Sequence, residues 1–70
     1  MPNTFTAVVK RDGDWWIGWI EEVPGVNCQE RTREALVESL RTALIEALEL
    51  NRREALQAAA NGYSEEIITV

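Results

Sequence analysis

Two hydrophobic rhythms divide the chain. From Thr4 to about Gln29 apolar residues recur at short, strand-like spacing, and from Thr32 onward they recur at three and four. A period of two is that of a strand, and a period of 3.6 is that of a helix. Thr4 to Lys10 reads as a first strand, with Phe5, Ala7 and Val9 on one face and Thr4, Thr6, Val8 and Lys10 on the other. Threonine and valine suit a pleated backbone. Asp12-Gly13 then predicts a tight hairpin of type I′, because that turn demands positive φ at both central positions. A second strand is expected over 14–22, pairing antiparallel with the first.

Val23-Pro24-Gly25-Val26 predicts a type II turn. Proline presets φ at its second position, and glycine accepts positive φ at its third. Asn27-Cys28-Gln29 reads as a short third strand. A helix follows over about 33–50, with Thr32 as N-cap and Glu34 suited to the positive end of the helix dipole. Ala35 stands where a full capping box would need Glu or Gln. Leu36, Leu40, Ala43, Leu44, Ala47 and Leu48 form the apolar stripe, and Val37, Ile45 and Leu50 lie off its centre. Glu49 and Arg53 sit four apart in the favourable order. Helical propensity continues to Ala60, and Asn61-Gly62 is a stop. The pattern leaves open whether one helix runs through or breaks near Leu50-Asn51. Glu66-Ile67-Ile68-Thr69-Val70 is β-branched and reads as a last strand, 66–70. The expected fold is α+β: one domain over 1–70, a small antiparallel sheet with one long helix on one face, in the order β-β-β-α-β.

The second strand breaks the pattern of a sheet that faces water on one side. Trp15, Ile17 and Trp19 fall on one face, and Trp16, Gly18 and Ile20 on the other. Both faces are apolar, whereas a strand with one solvated face alternates. One helix covers one side of so small a sheet. Trp16, Gly18 and Ile20 are expected beneath it, with the glycine allowing close approach. Trp15 and Trp19 are either a second small core, simply exposed, or an interface, where tryptophan is enriched. With no second helix to cover them, Trp15, Ile17 and Trp19 are the candidate contact with a partner or with another copy of the chain.

Size and composition point the same way. A chain of 70 residues buries only about 60% of the surface its unfolded form exposes, so such domains lean on disulfides, metals or association. Cys28 is the only cysteine and there is no histidine, which excludes an internal disulfide and a zinc-ligand set. The balance of 7 Lys+Arg against 12 Asp+Glu, a formal charge of −5, disfavours direct DNA or RNA binding and favours a basic protein partner. Exposed tryptophans can stack on bases, but the charge argues against it. No apolar run approaches a membrane span, and Met1-Pro2-Asn3 does not open a signal peptide. With an unpaired thiol this reads as a cytoplasmic protein.

Little here performs catalysis. Without histidine there is no Ser/His or Cys/His pair. Gly13, Gly18, Gly25 and Gly62 are too scattered for a phosphate loop. Asp12 and Asp14 near Glu21 and Glu22 offer carboxylate oxygens of the kind that hold a divalent cation; a solvated turn and strand end explain them more simply. Lys10 reads as an exposed edge residue and Cys28 as a small apolar filler. No cofactor is expected, and an enzyme is the weakest class. A homo-oligomeric binding or scaffold module is a stronger one.

The order of these pieces resembles the HicB-like antitoxin family across Phe5 to Leu50. Trp16-Ile17-Gly18, the turn Glu22-Val23-Pro24-Gly25, Gln29, and the helix start Thr32-Arg33-Glu34-Ala35-Leu36 carry the likeness. The family writes them as an aromatic-aliphatic-small triplet, a Pro-Glu-Leu-Pro-Gly turn and a Thr-x-Glu-Glu-Ala start. Glu21 departs at the first proline, Glu30 at a common glycine, and Arg33-Glu34 at the usual pair. Many members add a C-terminal ribbon-helix-helix or helix-turn-helix domain, for which Tyr63 to Val70 is too short. The resemblance implies an N-terminal-type HicB domain without a DNA-binding domain, laid out like a degraded ribonuclease H or double-stranded-RNA-binding fold. It also implies a bacterial protein that oligomerises and neutralises a small basic HicA-like toxin, an mRNA-cleaving ribonuclease. The alternative is an orphan homo-oligomer of the same fold with no toxin partner.

Overall fold

The computed structural model describes residues 4–70. Three strands form one antiparallel sheet in the order β1 (Ala7–Asp12), β2 (Trp15–Ile20), β3 (Asn27–Glu30), and one helix, α1 (Arg33–Ala59), lies on one face. The α+β class and the β-β-β-α order match the expectation. Boundaries and two details do not.

β1 begins at Ala7, three residues later than its apolar rhythm starts. Thr6 still bonds at its margin: its carbonyl accepts from the Glu21 N–H at 2.9 Å, and its own N–H donates to Glu22 Oε1 at 2.7 Å. The strand reaches further at its other end, because the register pairs Asp12 with Trp15 and leaves only Gly13 and Asp14 in the loop. Gly13 takes φ 62, and Asp14 is not among the residues with positive φ. That is the type II′ pattern, not the expected type I′. Placing Gly at the first central position leaves the second free for an ordinary residue. At the next turn Gly25 has φ 92, as a type II turn at Pro24-Gly25 requires.

The helix starts where expected. The Thr32 side chain accepts from the Ala35 N–H at 3.1 Å, and Glu34 occupies the first turn. It does not break at Leu50-Asn51. At 27 residues it is about 40 Å long, and the molecule is drawn out to 51 × 23 × 15 Å. Its end comes one step before the expected stop, with Ala60 as C-cap. Glu49 and Arg53 make their ion pair at 3.7 Å, though both side chains are well exposed.

Leu36 and Leu40 are fully enclosed and, with Ile20, Val23 and Val26, form the buried core. Val9, Trp16, Cys28, Ala43, Leu44 and Ala47 pack against its margin. Gly18 lies directly beneath the helix: a Cβ there would stand 3.0 Å from Leu40 Cδ1 and 3.1 Å from Leu36 Cδ2. Beyond Leu48 the helix overhangs, and every residue from Glu49 to Ala59 except Leu56 is exposed.

The expected strand at 66–70 is absent. From Ala60 to Val70 the chain has no regular structure, and Ile67 and Ile68 are 80% and 79% exposed. β-Branched sequence makes a segment able to pair but supplies no neighbour. The segment follows the overhanging end of α1, where Glu65 meets Arg52 at 3.8 Å.

Candidate protein interface

No helix or second sheet covers the face opposite α1 among the described residues. Antiparallel register sets which side chains share it. β1 contributes Val8, Lys10 and Asp12, paired with Trp19, Ile17 and Trp15 respectively, and β3 contributes Asn27 and Gln29, opposite Trp19 and Ile17. The three expected contact residues therefore form one stripe along the central strand. Trp15 and Trp19 are 36% and 38% exposed, and Ile17 between them is partly covered by its neighbours. A shallow hollow beside this stripe is lined by Ile17, Trp19, Asn27 and Gln29. Trp16, Gly18 and Ile20 all turn to the helix side, as expected.

Arg31 was not legible as part of this surface. It follows β3 by one residue, and its guanidinium carbon sits 4.0 Å from the Trp15 ring centroid. Stacking there is favourable through the ring quadrupole. Alternation carried one step past Glu30 was the available signal. Val8 and Lys10 were likewise invisible as partners of Trp19 and Ile17 until the two-residue loop set the register.

The grouped carboxylates come apart. Asp14 sits in the hairpin loop and Asp12 directly before it, whereas Glu21 and Glu22 follow the far end of the six-residue β2. At about 3.3 Å per residue that separates the pairs by some 20 Å. No cluster of three or more His, Cys, Asp or Glu able to hold a metal occurs among the described residues. Glu22 is instead engaged locally: the Thr6 N–H holds its carboxyl below the usual carboxylate range.

Cys28 faces the core side, opposite Gly18. Burial, then the charge of Glu30, pushes its thiol up, away from the thiolate a nucleophile needs. Glu30 accepts a 2.6 Å hydrogen bond from the Ser39 hydroxyl, which ties β3 to α1. Lys10 is exposed on an edge strand. No helix is long and apolar enough to cross a membrane among the described residues. What the arrangement offers is a sheet face with an apolar stripe between mostly polar flanks, suited to contact with another macromolecule. Compared with family models, with curated proteins and with solved structures, the chain matches none of them.

Proposed function

We propose that this chain is a binding module of the HicB-like antitoxin type, acting in the cytoplasm, which self-associates and neutralises a small basic HicA-like mRNA-cleaving toxin. The supporting observation is the stripe of Trp15, Ile17 and Trp19 along the central strand, with no second layer over it among the described residues. Two large indoles held on a rigid strand, one clamped by Arg31, have the anchor character of an interface core. The formal charge of −5 favours encounter with a basic partner and slows encounter with an acidic one. The five buried side chains among the described residues make a small core that supplies little stability, so association adds what the fold lacks.

The test is co-expression with the product of an adjacent toxin-like reading frame, followed by co-purification and an mRNA-cleavage assay. A complex in which cleavage is suppressed, and lost with Trp19→Glu, is the expected result. Failure of the two products to bind removes the antitoxin role. The exposed Ile67 and Ile68 favour a second reading, a homo-oligomeric scaffold of the same fold without a toxin. A stable oligomer from a gene with no toxin beside it supports that one.

A further inference from the structure

β1 is an edge strand, and its outer peptide groups are unpaired among the described residues. The Glu21 N–H to Thr6 carbonyl bond sets the alternation: Thr6, Val8 and Lys10 turn their peptide groups toward β2, and Ala7, Val9 and Arg11 turn theirs outward. Such an edge is a template for another strand. Beside it, Phe5, Ala7, Val37 and Leu44 line an apolar hollow between β1 and α1. The chain also carries a strand-like segment with no partner, Glu65 to Val70.

Charge and hydrophobic pattern match in one antiparallel register. With Glu66 opposite Lys10, Glu65 falls opposite Arg11, Ile67 opposite Val9, Ile68 opposite Val8 and Thr69 opposite Ala7. Both cations of β1 then meet carboxylates, and neither has one in an ion pair among the described residues. Ile67 and Thr69 turn to the helix side, toward the hollow. Ile68 turns to the tryptophan side, beside Val8 and its neighbour Trp19. The exposed pair of Arg52 and Glu65, 3.8 Å apart, is given up, and such pairs contribute little.

Direction decides whose segment this is. Leu36 and Leu40 meet Gly18 in mid-sheet, while Leu44 shares the hollow with Thr4 and Phe5, so α1 runs toward the start of β1 and continues past it. A segment folding back within its own chain would enter alongside β1 in the same direction, placing Glu65 and Glu66 far from Lys10 and Arg11. Only a segment arriving from the opposite end runs antiparallel.

We infer that two copies of this chain exchange their C-terminal segments, each laying Glu65–Val70 antiparallel along β1 of the other as a fourth strand. The exchange is reciprocal, so it closes as a two-fold dimer. It rests on the reading that the protein self-associates, and it specifies how.

The test is charge reversal read by molecular mass in light scattering. Lys10→Glu with Arg11→Glu, and separately Glu65→Lys with Glu66→Lys, each place like charges opposite one another. Each variant alone is expected to dimerise at least about tenfold more weakly. An equimolar mixture restores the dimer, because every segment then meets an edge of opposite sign. Variants that keep the wild-type mass, or that weaken without recovering on mixing, overturn the exchange. If Trp19→Glu still lowers the mass in that case, the self-association reading stands without it. A monomeric wild type overturns both. A second measurement is independent of charge: Val8→Cys with Ile68→Cys in a Cys28→Ser background should oxidise to a covalent dimer. A disulfide closed within single chains would instead overturn exchange between copies.

Discussion

Gly18 and Leu36 leave no room between them for a further methyl group: a Cβ built on Gly18 would lie 3.1 Å from Leu36 Cδ2 and 2.8 Å from the Val8 carbonyl oxygen. The glycine is there for space, since its φ is not in the positive range. Gly18→Ala must therefore move either the helix or the β1 backbone. Overpacking of this kind costs about 1–3 kcal/mol. The expected result is a drop in thermal midpoint without a change of fold, and a wild-type melting curve would show that the helix sits less tightly on β2.

Trp19 tests the opposite face. Its indole is partly exposed and pairs across the strand with Val8. Trp19→Glu removes little from the core but puts a charge where an interface would desolvate it. Self-association should weaken by about tenfold or more, measured by sedimentation, while helical circular dichroism stays at the wild-type level. Arg31→Ala should act in the same direction more weakly, by freeing the Trp15 ring.

The helix ends under strain. Ala60 caps it with φ 64 and ψ −86, donating its N–H to the Gln57 and Leu56 carbonyls. A Cβ in the left-handed half of conformational space costs about 1 kcal/mol, which glycine avoids. Ala60→Gly is expected to raise helix content and to stabilise by up to that amount. Thr32→Ala, at the other end, removes the bond to the Ala35 N–H and should destabilise by about 1 kcal/mol. Thermal unfolding of the two variants should shift in opposite directions.

Glu22 makes stability depend on acid. The Thr6 N–H at 2.7 Å favours its ionised form, so its folded value lies below the ordinary 4.5. The contact contributes stability that is fully present above pH 4.5 and is lost as pH falls through the lower folded value. Glu22→Gln should flatten this part of the acid-unfolding curve. An acid midpoint identical to wild type in the variant would mean that the Thr6 contact adds nothing.

Much of the fold was legible because its signals are short-range. Pro24-Gly25 and Thr32 need only their immediate neighbours to be understood, and each appears in the expected role. The split of Trp15, Ile17 and Trp19 from Trp16, Gly18 and Ile20 is likewise a consequence of strand geometry alone. The misses share another cause. Asp12-Gly13 promised a hairpin, but its turn type depended on which two residues were left over once β1 and β2 had paired. The acidic residues looked grouped because Asp12 to Glu22 is short in sequence; an extended strand turns that shortness into distance.

By itself the chain of residues determined the order of the three strands and the helix, the Pro24-Gly25 turn, the helix start and the two apolar faces of β2, because each follows from backbone geometry over a few residues. Tertiary structure alone decided where β1 begins, that α1 runs unbroken beyond the sheet, that Arg31 stacks on Trp15, and that Ile67 and Ile68 stand without a partner. The reason is physical: pairing, stacking and burial require a second surface, and no local pattern says whether one is within reach.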